Sequence, residues 1–267
     1  VFRAEALSFR RLAFRVFSEV GGISRSHLNS AGKSMLLFKV MDRLGSKLGI
    51  YSKAASKRGF TEKLSNAITE FKRYNIAPEE LSEAAGKLPD GQMLKDKLYD
   101  LALIYREFED LLHEGYMDAD DDLVELYKRL DQSTQFRDAE IWIDEFSGFT
   151  PQEYNIIEKL LKMARRVTIC LCTDCLSDEP GDASPLVFTP VRKTAVKLVR
   201  LALESGITVE KPVSLGTGGF SHRFAASEEL GHLERNYYKY PYKKFLKYSG
   251  DVVLVSSANM FAEVEDV

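Results

Sequence analysis

Apolar positions in the first half of the chain recur at helical spacing. Leu94, Leu98, Leu101, Tyr105, Phe108 and Leu112 follow one another at intervals of four and three, which marks one face of a long amphipathic helix. Met35, Phe38, Met41, Leu44 and Leu48 predict a second such stripe earlier. Pro78 in "PEE" and the loop "GKLPDGQ" punctuate the block, and no strand signal competes between about Leu28 and Leu130. Ahead of it, "RAEALSF" reads as a short strand and "RRLAFRVFSEVGG" as a helix stopped by Gly21 and Gly22.

The texture then changes. "AEIWID" is a compact apolar run of strand length. Thr150 follows as an N-cap, with Pro151 at the first helical position and Glu153 three residues after the cap, a capping box that predicts the helix "QEYNIIEKLLKMA". "VTICLC" reads as the next strand, and "TPVRKTAVKLVRLALESG" as a helix with a Thr-Pro start and a Gly stop. "ITVE" and "DVVLVSS" read as further strands, the second after a polar, aromatic-rich stretch. Strands and helices in alternation, with apolar rather than alternating strands, predict a parallel sheet covered on both faces. The expected architecture is an α/β core, residues 1–30 and 131–267, carrying a large helical insertion over residues 31–130.

Composition narrows the class without naming a function. The chain has 267 residues, 45% hydrophobic and 29% charged, ordinary for a soluble globular protein. A net charge of −3 gives no global electrostatic footprint for nucleic acid, though a local basic groove remains compatible with it. No apolar run approaches the ~20 residues of a membrane helix, so no membrane partner is expected. There is no secretory signal and the three cysteines form no disulfide framework, so a cytoplasmic setting is expected. The chain opens on Val1, and "NMFAEVEDV" at its end reads as a helix cut short, which predicts a piece of something longer.

The chemistry concentrates in "AEIWIDEFSGFTPQE". A strand that ends in Asp144 and Glu145 at the carboxyl edge of a parallel sheet has the Walker B arrangement, in which the first carboxylate holds magnesium, usually through water, and the second orients the attacking water. Ligands of open α/β sheets bind at that edge. Two solvated acids at a strand exit fit the same residues. The phosphate loop that should accompany such a site is missing. "NSAGKSMLL" contains Gly32, Lys33 and Ser34, but His27 stands where the first glycine is required and no strand leads in, so the stretch reads as a helix start with Ser30 near the cap.

Other patterns are weaker. Cys170, Cys172 and Cys175 make C-x-C-x-x-C, but the first two lie on one face of an expected core strand and no fourth ligand is near. "DADDD", Asp118 to Asp122, fails as a calcium loop because Leu123 and Arg129 replace the required Gly and Glu, and its acids suit a helix N-terminus. "RNYYKYPYKKFLKY" interleaves Arg235, Lys239, Lys243, Lys244 and Lys247 with six aromatic rings and has no acid between Arg235 and Tyr248. That pattern suits stacking on single-stranded bases, or a surface loop whose rings cover a neighbouring face.

The order of motifs resembles the AddB subunit of the bacterial AddAB helicase–nucleases, a family of ATP-dependent deoxyribonucleases. "EALSFRRLAFRVFSEVGG" looks like motif Ia of that family and "IWIDEFSGFTPQEYNIIEKLL" like its Walker B region. "GFTEKLSNAITEFKRYNIAPEEL" and the tail "SANMFAEVEDV" are also family-like. The resemblance implies a superfamily 1-type helicase fold: a RecA-like, P-loop NTPase core with a helical 1B-type insertion. It implies ATP and Mg2+ bound in the complete protein, a Walker A loop before this chain begins, and a nuclease domain with an iron–sulphur cluster after it stops. It also implies an AddA-type motor subunit as heterodimer partner, and single-stranded and duplex-end DNA as substrate in double-strand-break repair, with the AddB-type subunit linked to recognition of a regulatory sequence in single-stranded DNA.

Carried over by residue, Asp144 and Glu145 match the acidic pair, Asp144 being the magnesium ligand. Ser8, Phe9, Arg10 and Arg11 match the single-stranded-DNA-contacting motif Ia, and Asp174 matches the Asp of motif III without its usual Gly and Gln neighbours. Motor helicases commonly continue Asp-Glu-x-Gln-Asp, whereas Phe146, Ser147 and Gly148 follow here, so the coupling glutamine is absent. The expectation is a helicase fold that holds DNA while a partner supplies the motor, inactive as this chain alone. The alternative is a catalytically inert scaffold for subunit contacts.

Overall fold

The computed structural model describes residues 4–22, 26–53, 57, 59–177, 186–215, 222–247 and 249–266. The chain forms two compact units, one of residues 1–171 with 201–207, the other of residues 172–200 with 208–267.

The first unit opens with helix α1, Phe9–Val20, where Ser8 caps one end and Gly21, at φ +81°, ends the other. The segment expected as a leading strand makes no ladder over residues 4–8. Its last residue, Ser8, is extended because it is the N-cap, the position where the backbone has not yet entered the helix. Strand β1, Ser26–His27, follows, and then helices α2, Ser30–Leu44, α3, Phe60–Arg73, α4, Pro78–Gly86, and α5, Met93–His113. Strand β2, Tyr116–Met117, pairs in parallel with β1, so the helical block is a loop thrown out between two paired strands. A two-residue ladder leaves no periodicity to read, which is why no strand was expected here.

Leu37, Val40, Met41, Leu44, Ile68, Ile104, Phe108 and Leu112 bury the core of this block. On α2 the buried face differs from the expected stripe: Met35 and Phe38 are exposed, while Leu37 and Val40 are fully inside. The true face includes Lys33, and a lysine on the buried face hides it from a hydrophobicity count.

Helix α6, Asp122–Arg129, lies within the stretch expected as insertion, yet its Leu126 packs with α1 and with helix α7, Pro151–Met163. Leu12, Val16, Phe17, Leu130, Ile156 and Leu160 complete this second cluster. Strand β3, Glu140–Ile143, and strand β4, Arg166–Ile169, flank α7 and pair in parallel register, Glu140 with Arg166 through Ile143 with Ile169. Parallel neighbours need a crossover, and α7 supplies it. One face of β3 is open, with Trp142 67% exposed, whereas Ile143 is buried.

In the second unit, helix α8, Thr189–Glu204, which runs into the first unit at its end, starts at the expected Thr-Pro. Helix α9, Glu228–Asn236, and helix α10, Met260–Asp266, follow. "ITVE" and "DVVLVSS" form no ladder: residues 207–210 and 251–257 have no strand partner among the described residues, and Leu254 is 97% exposed. Apolar, β-prone residues make a segment able to be a strand, but the ladder needs a neighbour to pair with. Among the described residues no helix is long and apolar enough to cross a membrane.

Candidate functional site at the carboxyl end of β3

The end of β3 is fixed by the Cys170 N–H, which donates to the Ile143 carbonyl at 2.9 Å and extends the ladder one step beyond β4. Asp144 and Glu145 leave the sheet here, both exposed. The Glu145 N–H donates to Asp144 Oδ1 at 2.9 Å. Glu145 sits at φ +64°, in the left-handed region that costs an L-residue ~1–2 kcal/mol. This tight reversal turns the chain back, and Phe146 meets the start of α1.

An aromatic group results. The Phe9 ring lies edge-on to Phe146 at 5.7 Å and to Phe149 at 6.3 Å, and Phe146 stacks on Phe149 at 5.0 Å. Tyr154 closes it from α7, 5.5 Å from Phe149. Ring pairs in these geometries contribute ~0.5–1.5 kcal/mol each beyond area burial. The first residue of α1 and the residue after the two carboxylates are therefore in direct contact.

The α7 start forms as its residues dictate. Thr150 Oγ1 accepts from the Glu153 N–H at 3.3 Å, and Glu153 Oε2 accepts from the Thr150 N–H at 2.8 Å. Between them, buried Gln152 donates through Nε2 to the Lys72 carbonyl at the end of α3, 2.7 Å away. This bond ties the acidic edge to the helical block.

The other residues expected as motif Ia divide by role. Ser8 Oγ accepts from the Arg11 N–H at 3.3 Å, so its hydroxyl is the helix cap. Arg10 Nε lies 3.4 Å from Asp122 Oδ2, whose side chain is almost wholly buried. His27 Nε2 bonds the other Asp122 oxygen at 2.6 Å. Arg11 is exposed and makes no ion pair among the described residues; it borders a shallow depression with Glu5, Leu7, Phe14, Arg15 and Ser18.

The Gly-Lys-Ser stretch lies in α2, whose N-cap is Asn29, next to the expected Ser30. Lys33 points inward and its ammonium donates to Asp118 at 2.6 Å, Asp120 at 2.9 Å and Thr69 at 2.9 Å. Beside it, Lys72 bonds Asp121 and reaches Glu109, both at 2.7 Å. Burial opposes the Lys72 charge, but Asp121, Glu109 and Asp118 outweigh it and raise its pKa. Burial also raises Glu109, against the pull of Lys72. Asp120 is held below its ordinary value despite burial, by hydrogen bonds from Thr69 and Lys33. The Asp-rich run thus neutralises two buried lysines as well as leading into a helix. Sequence reading found the acids and missed the lysines, because nothing local distinguishes a buried lysine from an exposed one.

Among the described residues no group of three or more His, Cys, Asp or Glu side chains is placed to hold a metal. Asp144, with Glu145 beside it, offers the kind of hard oxygen donor that magnesium takes when phosphate and water complete its shell. An all-cysteine iron–sulphur cluster takes four thiolates, one more than the three cysteines of this sequence. Cys172, expected inside a core strand, is exposed, because β4 ends at Ile169. Asp174 is held by buried Arg192, whose Nη1 donates to its two oxygens at 3.2 and 3.0 Å.

Residues 1–234 match the family described as ADDB, N-terminal. The chain is 43% identical to the ATP-dependent helicase/deoxyribonuclease B subunit of Clostridium botulinum over 99% of its own length and 23% of that protein. Proteins of the same name from Acetivibrio thermocellus and Caldanaerobacter subterraneus are 44% and 45% identical, with 99% of this chain and 23% and 22% of the relatives covered. The chain spans under a quarter of the length of these relatives. With most of its residues matched by the family and near-complete alignment to these subunits, the chain belongs to the AddB N-terminal family.

Proposed function

We propose that this chain is the first motor-like domain of a DNA end-processing helicase–nuclease subunit, with a RecA-like core built on the β3–α7–β4 unit and a 1B-type helical insertion. It contacts single-stranded DNA along the motif Ia edge and, in the complete protein, shares in handling ATP and Mg2+. The observation that carries the reading is the packing of Phe9 on Phe146 and Phe149, which sets the start of α1 beside Asp144 and Glu145. The names of the relatives, each a B subunit of an ATP-dependent helicase/deoxyribonuclease, support the same class and a companion subunit.

In this reading Asp144 holds magnesium through water and Glu145 orients a water at the same edge. Bound magnesium would neutralise charge on the phosphates. Arg11, exposed and in no ion pair among the described residues, meets DNA phosphate, and the rings of Phe9, Phe146 and Phe149 offer faces or edges to unstacked bases. Arg10 contributes mainly through Asp122, which anchors α1 to α6. The iron–sulphur cluster and nuclease chemistry belong to other parts of the complete protein.

The test is a salt titration of oligothymidine binding. Each phosphate contact on a single strand adds ~0.7 to the slope of log K against log salt. Arg11→Ala should reduce that slope by about one contact and weaken binding severalfold. An unchanged slope and affinity would remove the motif Ia edge from the DNA path.

A scaffold reading accounts equally well for one observation, the run Phe146, Ser147, Gly148 where the coupling glutamine of motor helicases would stand. Asp144→Ala in the complete heterodimer separates the two. Loss of ATP binding to this subunit supports the motor-derived reading, and normal ATP binding with normal DNA processing supports the scaffold.

A further inference from the structure

We infer that the second unit carries its own single-stranded nucleic-acid platform on residues 235–247, a surface separate from the motif Ia edge. Tyr237, Tyr240 and Tyr242 are 68%, 91% and 69% exposed, and Tyr238 is also outside. These four rings therefore do not cover a neighbouring face, the competing reading of this stretch, whereas Phe245 is partly buried against His232. Interleaved with them are Arg235, Lys239, Lys243 and Lys244, all exposed and none in an ion pair among the described residues. The fifth cation, Lys247, is taken by Glu228 at 2.9 Å.

The surface is pre-ordered rather than loose. The Tyr237 N–H closes the last turn of α9 on Leu233 at 2.8 Å, and the Lys239 N–H donates to Asn236 at 3.0 Å. Further along, His232 Nε2 donates to the Lys243 carbonyl at 2.7 Å, an acceptor that fixes the tautomer, and its ring meets Phe245 at 5.1 Å. Beyond the stretch, Glu229 accepts from the Ser249 hydroxyl and from the Asp251 N–H, both at 2.9 Å. The backbone is pinned on both sides, and the rings and ammonium groups between are left to solvent.

This chemistry selects its ligand. A protein-binding patch concentrates apolar area at its centre and is depleted in lysine. Here cations alternate with rings along the chain, the pattern that pairs with phosphates while bases stack on aromatic faces. Stacking needs unpaired bases, so the ligand is single-stranded. Ring faces bind every base, so sequence preference at this surface should be slight.

The experiment uses the full chain and a 5-iodouracil-substituted oligothymidine, in an Arg11→Ala background so that a failure at motif Ia is scored separately. Photocross-linking should label Tyr237, Tyr238, Tyr240 or Tyr242. Tyr237→Ala with Tyr240→Ala and Tyr242→Ala should weaken binding at least ~5-fold, the loss for a single stacked base at ~1 kcal/mol, whereas the three Tyr→Phe changes should keep it. Lys239→Ala with Lys243→Ala and Lys244→Ala should lower the log–log salt slope by about 2, three contacts at ~0.7 each. All these side chains are exposed, and an unchanged melting temperature confirms that the variants fold. Cross-links confined to other peptides, or an unchanged slope and affinity in both sets, would overturn the proposal. So would variants that bind DNA normally but lose a companion subunit, which would make the surface a protein interface.

Discussion

Single residues in this chain often do structural work where a motif suggests chemistry. Lys33 sits in a Gly-Lys-Ser sequence, yet its ammonium is shared by Asp118, Asp120 and Thr69 inside the helical block. Lys72→Met should cost ~3–5 kcal/mol in urea unfolding, because Asp121 and Glu109 would lose the buried cation they share, whereas Asp118 keeps Lys33. Glu109→Gln should cost far less, since burial already weakens the charged form of that carboxyl. Glu19 gives a pH signature. Hydrogen bonds from Ser133, Thr134 and Gln135 hold its pKa down to about 2 from an ordinary 4.5. A depressed carboxylate stabilises the fold fully above its unfolded value and loses that contribution as pH falls through its folded one. Stability should thus decline between about pH 4.5 and 2, and Glu19→Gln should flatten that part of a pH–denaturation series. None of these partners was legible in the sequence, since each pair is separated by tens of residues.

At the scale of elements, what was legible is what is local. The α7 start was readable because Thr150, Pro151 and Glu153 satisfy one another within four positions, and the α1 stop because Gly21 takes a positive φ that other residues avoid. Thr150→Ala should cost ~1 kcal/mol of stability, measured by thermal or urea unfolding. Gln152→Ala should cost only ~0.5–1.5 kcal/mol, one net hydrogen bond, because the Lys72 carbonyl keeps the Asn75 N–H at 3.0 Å, a figure the same melts check. Strands were less legible. β3 and β4 formed where expected because each has the other alongside, whereas "DVVLVSS" has the composition of a strand without a ladder. The α2 face was misread because a satisfied lysine lies on it.

At the scale of the whole molecule, the acidic edge, the motif Ia helix and the helical block are joined by few bonds of high consequence. Phe9 links the first two through Phe146 and Phe149, and Gln152 links the edge to α3 through the Lys72 carbonyl. Sequence order alone singled out Asp144, Glu145 and the stretch from Ser8 to Arg11, whereas the contact of Phe9 with Phe146, just past the left-handed turn at Glu145, was not legible. The functional reading rests on that contact. Its most direct test is photocross-linking from p-benzoylphenylalanine placed at position 146. A bound oligothymidine should cross-link there, and Arg11→Ala or high salt should reduce the yield. An oligonucleotide that binds the chain with full affinity yet never cross-links from position 146 would contradict the account.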